Sequence, residues 1–415
     1  MTGELSPDTI VFFENRVTTL SEARVGILTH ALNYGTGVFE GVRGYWNEPE
    51  NQLFLMRPRE HFERWKQNCG ILRIEVPPSA AELGELTADL LRRNGFRGDV
   101  YIKPLAYKSS QWIGIHMDDE SAFAIVPMLA PAYLDSSKGL HAGVTSWRRI
   151  EDNAIPGRGK ICGSYVNGAL ASDEVRRNGF DEAILLTEAG HVAEGASCNI
   201  FLVRHGKLIT PPASENILEG ITRDSVMELA RKELHLEVIE RPVDRSELYV
   251  CDEMFFTGTM VEVAPVIRVD HRPVGSGEIG PVTTELRRLY NQAAHGRLKA
   301  YRHWLMPVYE PVATVVDSVQ YSTMIDSKQA FQFAKQQATG MLGERPFRLE
   351  EIERDTYKGR EVWSVTLGYP QDQTLVDAVS PLRAIGIGPL EYKLFLIDAT
   401  NGDLVAMKLR EPLPQ

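Results

Sequence analysis

The chain has 415 residues, 43% of them hydrophobic and 24% charged, with a formal net charge of −11. That balance describes a folded globular protein rather than a disordered one, with length for two or three domains. An acidic surface argues against a general affinity for nucleic acid or anionic lipid, whose phosphates need a basic patch.

The amino terminus, MTGELSPDTIVFFENR, has no basic n-region and no long apolar run, so no signal peptide is expected. No apolar stretch is long enough to span a bilayer. The four cysteines, Cys69, Cys162, Cys198 and Cys251, form no C-x-x-C pair and suit a reduced, cytoplasmic compartment.

The first 130 residues mix helix and strand: IVFFE, QLFLM, DVYIKPLAY and AFAIVPM have the β-branched and aromatic enrichment of strands. RPREHFERWKQNCGIL reads as a helix with a proline near its start. SAAELGELTADLLRRNG opens on a capping box, Ser79 with Glu82, and carries Leu83, Leu86, Leu90 and Leu91 on one side. It stops at Asn94-Gly95. APAYLDSSKG reads as a loop. After it, strands HAGVTSW, EAILLT and NIFLV accompany the amphipathic helices SYVNGALASDEVRRNG and TRDSVMELARKELH.

Near residue 308 the texture changes. A helix, SKQAFQFAKQQATGML, precedes strands EVWSVTL, YKLFLID and LVAMK, the last two joined by a type I′ turn signal at Asn401-Gly402. Within the first of these, Val362, Ser364 and Thr366 alternate with Trp363, Val365 and Leu367, which gives one strongly apolar face. The expected domains are 1–130, a loop at 131–139, 140–307, and a small α+β domain at 308–415 whose pattern resembles cystatin- or PepSY-like domains.

There is no G-x-G-x-x-G after a strand, no Walker A, no H-E-x-x-H and no G-x-S-x-G elbow. The carboxylates of MDDES (117–121) read as a solvated loop and the ten histidines show no ligand spacing, so no metal is expected.

Lys160 stands apart. In PGRGKICGSY (156–165), Gly159, Gly163 and Ser164 leave room for a molecule to approach the backbone, and Tyr165 follows five residues on. The lysine is either a surface charge on a turn or an amine desolvated enough to act as a nucleophile. Glu194, in HVAEGASCNIFLV, is either a turn residue or a carboxylate that keeps a pyridine nitrogen protonated. Gly220, Ile221 and Thr222 begin a helix, where free N–H groups suit a phosphate as well as an ordinary Thr cap. Arg59, in MRPREHFERW, is either a helix-surface charge or a fork on the same phosphate. FFTGTMVEVAPV runs a strand into Gly258-Thr259, a simple turn or one that presents amides and a hydroxyl to an anion.

Taken in order, HALNYGTGVFEGVR (30–43), RPREH (57–61), IPGRGKICGSYVNG (155–168), EGASCN (194–199), LEGITRD (218–224) and TGTMVEVAPV (257–266) resemble the fold-type IV pyridoxal-phosphate aminotransferases. Among these the chain is most similar to the branched-chain amino acid aminotransferases, over about residues 8 to 307. The resemblance implies an α+β fold with a small N-terminal α/β domain and a larger C-terminal one, homodimeric or of higher order, acting in branched-chain amino acid biosynthesis. It implies pyridoxal 5′-phosphate bound covalently by Lys160, which also shuttles the substrate proton. Tyr165 would bond the cofactor's 3′-oxygen, Glu194 its ring nitrogen, and Leu218 would pack on the ring. Arg59, Ile221, Thr222 and Thr259 would hold the phosphate. Phe39 and Tyr101 would line the pocket, with Tyr34 and Tyr133 as weaker candidates, and the amides of Met260 and Val261 would receive the substrate carboxylate. The substrates implied are amino acids and 2-oxo acids.

One position departs from the pattern. Where the family shows YIRP this chain has YIKP, so Lys103 replaces the arginine expected to receive glutamate's distal carboxylate. Lysine keeps the charge and loses the bidentate fork, so weaker use of glutamate and 2-oxoglutarate is expected. Rival readings on the same fold are a D-amino acid or (R)-amine aminotransferase and an aminodeoxychorismate lyase. A binding protein with a relic cofactor site is the rival from another class.

Overall fold

The first half of the chain lays down β1 (Ile10–Phe13), β2 (Arg16–Thr19), α1 (His30–Tyr34), β3 (Gly37–Phe39), β4 (Val42–Asn47), β5 (Gln52–Met56), α2 (Pro58–Ile71), α3 (Ala80–Asn94), β6 (Val100–Lys108) and β7 (Ser121–Leu129). The computed structural model describes residues 5–130, 137–309, 325–343, 346–370, 390–399 and 403–410, so Tyr133 and the Asn401-Gly402 turn lie outside the described residues. The strands join antiparallel in the order β5-β4-β6-β7-β1-β2, with β3 also on β6. Pro58 occupies the first turn of α2, where its missing N–H costs nothing. Before α3 the Ser79 hydroxyl accepts from the Glu82 N–H at 3.3 Å while the Glu82 carboxylate accepts from the Ser79 N–H at 2.7 Å. That helix ends on Gly95 at φ +66°, a conformation glycine adopts without strain. Both helices bury one face, with Phe62, Trp65, Leu83 and Leu90 packed on Val100 and Ile125 of the sheet.

The second half adds β8 (Leu140–Arg148), α4 (Tyr165–Arg177), β9 (Glu182–Leu186), β10 (Val192–Gly195), β11 (Asn199–Arg204), β12 (Lys207–Thr210), α5 (Ile221–Lys232), β13 (Val238–Glu240), β14 (Glu253–Gly258), β15 (Glu262–Val269), β16 (Arg272–Pro273) and α6 (Pro281–Ala294). Its sheet runs β10-β9-β8-β15-β14-β11-β12-β13, with β8 parallel to both β9 and β15. Val226 and Leu229 of α5 and Leu286 and Leu289 of α6 pack with Phe201 and Phe255 of this sheet. The chain then returns: β17 (Leu305–Pro307) pairs with β5 and gives the first sheet its edge.

The chain divides into two compact units, Met1–Val312 and Ala313–Gln415. In the second, α7 (Ser327–Leu342) lies on an antiparallel meander of β18 (Arg348–Tyr357), β19 (Arg360–Pro370), β20 (Leu390–Asp398) and β21 (Leu404–Arg410). Ala330, Ala334 and Ala338, one helical turn apart, pack with Val365, Leu367, Phe395 and Ile397. The alternation in β19 does not divide a buried face from an open one, because Val362, Ser364 and Thr366 are buried as well. The sequence reading missed β18, and its burial explains why. No residue of this strand is fully buried, so RLEEIERDTY shows no apolar period.

Candidate active site

Lys160 lies on the connection between β8 and α4, and the first sheet fixes it. The Phe39 N–H donates to the Lys160 carbonyl at 3.1 Å, and the Gly163 N–H donates to the Gly35 carbonyl at 3.1 Å. The lysine amine then donates to the Tyr165 hydroxyl at 2.6 Å. The Phe39 ring stands edge-on to Tyr165 at 4.6 Å, with the Lys160 amine 4.8 Å from its centroid. Lys160 and Tyr165 line one cleft. The Lys160 side chain is half-buried and aimed at a phenol.

Glu194, on β10, lines the same cleft and is buried. One carboxylate oxygen pairs with Arg149 Nη2 at 2.8 Å. The other accepts from Asn199 Nδ2 at 2.9 Å and from the Leu218 N–H at 3.2 Å. Burial nevertheless pushes the carboxyl above its ordinary range, with Arg149 only partly offsetting it.

The start of α5 forms a third wall. Its N-cap is Gly220, with no side chain capping the N–H groups that follow, so Thr222 is not the cap. Glycine is needed there for space: a Cβ on Gly220 would lie 2.1 Å from Asn199 Oδ1. Ile221 and Thr222 line the cleft, as do Leu218 and, from the turn after β14, Thr259. The Thr257 hydroxyl, also in the lining, is buried with no hydrogen-bond partner among the described residues.

Arg59 is not brought to this cleft. Its side chain is 80% exposed on the outer face of α2 and pairs with Glu63 at 2.8 Å. Of the arginines on α2, the one in the lining is Arg64, with a side chain only 11% exposed. Five residues on an α-helix turn the direction by about 140°, so the two cannot share a face.

The remaining candidates lie outside the lining itself. Met260 and Val261 form the turn between β14 and β15, where the Met260 carbonyl accepts from Arg43 Nη1 at 3.2 Å. Tyr101 closes on Gly41, whose Cβ would lie 2.5 Å from the phenol oxygen. Lys103 places its amine 5.0 Å from the Phe39 centroid, so Phe39 contacts both lysines. Tyr34 faces elsewhere: its hydroxyl accepts from the Gly114 N–H at 3.1 Å, outside the lining.

Residues 37–269 match the family model described as amino-transferase class IV. A probable branched-chain-amino-acid aminotransferase from Aquifex aeolicus is 49% identical over 300 residues, 72% of this chain and 96% of that protein. The chain belongs to the branched-chain aminotransferases of class IV. The Escherichia coli branched-chain-amino-acid aminotransferase is 36% identical over 71% of this chain and 96% of its own length. Among solved structures, the branched-chain aminotransferase of Thermoproteus uzoniensis with norvaline matches at TM-score 0.69 and 39% identity, covering 72% of this chain and 99% of that one. The fold is thus the mixed helix-and-sheet fold of fold-type IV aminotransferases.

Sequence reasoning missed several residues of this aminotransferase cleft. Arg64 was legible in principle: His61, Trp65 and Asn68 mark the inward face of α2, and Arg64 borders it. Arg149 and Asn199 hold Glu194; Asn199 lies within the EGASCN string beside it, whereas Arg149 is reached only through the fold.

Proposed function

We propose that this chain is a pyridoxal-phosphate-dependent aminotransferase exchanging amino groups between a branched-chain or other apolar L-amino acid and a 2-oxo acid by a ping-pong route. The carrying observation is the Lys160 amine held 2.6 Å from the Tyr165 hydroxyl in a cleft that also holds buried Glu194. Three features fit the cofactor. Glu194 lacks full compensation for its burial. The Thr257 hydroxyl is unpartnered among the described residues. Arg64 commits three of its five N–H groups, which leaves two for a phosphate. The branched-chain amino acid aminotransferase of Thermobaculum terrenum, 39% identical at TM-score 0.69 over 74% of this chain and 100% of that one, has been solved in its PLP-form.

When bound, the cofactor supplies an electron sink for the charge left at the substrate's Cα. Lys160 holds it and moves the proton to and from that carbon. Tyr165 orients the amine, Glu194 holds the ring nitrogen charged, and Leu218 supports the ring. The amides of Ile221 and Thr222, with Thr259 and Arg64, hold the phosphate at the positive end of α5. The Met260 and Val261 amides take the substrate carboxylate, and Phe39 and Tyr101 line the side-chain pocket. Lys103 stands where a glutamate side chain is received, with a point charge in place of a fork.

The chain is further proposed to work as a cytoplasmic homodimer or larger assembly. In support, Ile27, Ile113 and Ile115 are 78, 80 and 83% exposed on two segments that meet at the Thr29–Gln111 bridge, an apolar surface suited to a second copy. No helix among the described residues is long and apolar enough to cross a membrane. The Ala313–Gln415 unit is assigned an accessory role, its helix-on-meander pattern resembling cystatin- or PepSY-like domains.

A half-reaction scan of cofactor absorbance with L-leucine, D-alanine and an (R)-arylamine tests the reading. L-leucine is expected to convert the cofactor fastest. Faster conversion by D-alanine or the arylamine overturns the assignment.

A further inference from the structure

The direction of Arg64 is set from behind. Glu40, in the connection between β3 and β4, is fully buried, and its carboxylate takes one edge of the guanidinium: Nη2 to Oε1 at 2.7 Å and Nε to Oε2 at 2.9 Å. The carboxylate is itself fixed, because the Gly41 N–H donates to Oε1 at 2.8 Å and the Glu40 N–H donates to the Pro104 carbonyl at 2.9 Å. His61 Nδ1 lies 3.2 Å from Oε1. On its other edge, Arg64 Nη1 donates to the Glu219 carbonyl at 2.8 Å, just ahead of α5. A planar fork held along the Nε/Nη2 edge, and touched at Nη1 by Glu219, keeps one further N–H on each Nη nitrogen, and Arg64 is among the residues that line the cleft.

Stability alone does not account for this pair. A buried ion pair contributes little net stability over apolar packing, because removing two charges from water offsets most of their attraction. What Glu40 does provide is a fixed plane and direction for a guanidinium that would otherwise have several rotamers. We propose that Glu40 is a positioning residue which, through Arg64, sets how tightly the cleft holds the phosphate of its ligand. The proposal rests on the reading of the cleft as a pyridoxal-phosphate site.

The test titrates the full-length chain, freed of cofactor, with pyridoxal 5′-phosphate and with pyridoxal, which lacks the phosphate. Glu40→Gln is expected to weaken pyridoxal 5′-phosphate binding by about 10- to 100-fold, the range seen when groups behind a metal's direct ligands are removed. Pyridoxal binding should stay within about twofold, because Arg64 does not touch a ligand without phosphate. Glu40→Asp, which keeps the charge but draws it back one methylene, should lose less, and it carries the test if Glu40→Gln does not fold. In an Arg64→Gln background, adding Glu40→Gln should change nothing further. An equal loss for both ligands marks a merely structural role and overturns the proposal, as does a further loss in the Arg64→Gln background. If Glu40→Gln leaves both affinities unchanged while Arg64→Gln weakens the phosphate ligand, the proposal fails and the reading of the cleft stands. If the wild type binds pyridoxal as tightly as its phosphate, that reading fails first and takes the proposal with it.

Discussion

In the unit that contains the cleft, carboxylates and guanidinium groups are taken out of water: Glu40, Glu182, Glu194 and Arg223 are all buried. In the Ala313–Gln415 unit, the buried polar side chains among the described residues are only Ser364 and Thr366, in a core of alanines, Val365, Leu367, Phe395 and Ile397. Both arrangements exclude water, but they cost different amounts. Burying a methyl group is favourable, whereas burying a charge is favourable only with a partner whose geometry is held. The first unit accepts that cost at Glu194 in the cleft lining and also away from it, at Lys108 and Glu253, whereas the second has the composition of a packing module.

The sharpest way to break this contrast is to remove the amine. Lys160→Ala should lower turnover by about 10³-fold or more, as loss of a nucleophile does. It should also abolish the absorbance band of covalently held cofactor. Residual turnover within tenfold of wild type would dissociate the cleft from the reaction. The two arginines of α2 come next. Arg64→Gln should weaken pyridoxal 5′-phosphate by about 100-fold, the worth of a charge-assisted fork. Arg59→Gln, at an exposed ion pair, should leave the affinity within about twofold. The reverse result would restore the sequence reading of Arg59.

Lys103 sharpens the comparison within the cleft unit itself. Restoring the fork with Lys103→Arg should accelerate the glutamate half-reaction by about tenfold and leave the leucine half-reaction within about twofold. Equal effects on both would place Lys103 outside the distal carboxylate's reach. In the second unit, Leu367→Ala removes a fully buried side chain from beside the alanine face of α7. It should destabilise that unit by about 2–5 kcal/mol, read from its denaturant midpoint, with leucine turnover unchanged. A parallel loss of turnover would mean that the second unit is more than a packing module.

How much of this was legible in the residues depended on how local the signal was. Lys160, Tyr165 and Glu194 could be singled out because small residues crowd around them and nothing bulky competes for the space. The capping box of α3 could be read because its two partners lie three residues apart. Arg64 was passed over for Arg59 because an RPREH string carries no helical phase, whereas the burial of His61, Trp65 and Asn68 does. Glu40 and Arg149 act through partners 24 and 45 positions away in the chain, a pairing that periodicity does not encode. β18 escaped because a strand without a fully buried side chain lacks the alternation by which strands are found.

The smallest effect concerns a charge cluster of the first unit that lies apart from the cleft. Glu247 accepts from Arg204 and Arg241 at 2.7 Å each, and these bonds hold its carboxyl at about 2, against an ordinary value of 4.5. Between those values the native state binds fewer protons than the unfolded chain, so stability rises with pH through this window and is lost as pH falls through it. Glu247→Gln should therefore flatten the fall in thermal midpoint between pH 4.5 and about 2 without altering cofactor affinity at neutral pH. Solvent reaches both arginines, with side chains 30 and 37% exposed, so added salt should shrink the difference. If cofactor affinity fell with Glu247→Gln, charge pairing in this unit would serve the cleft even at a distance, and the contrast between charges kept for chemistry and charges kept for folding would have to be redrawn.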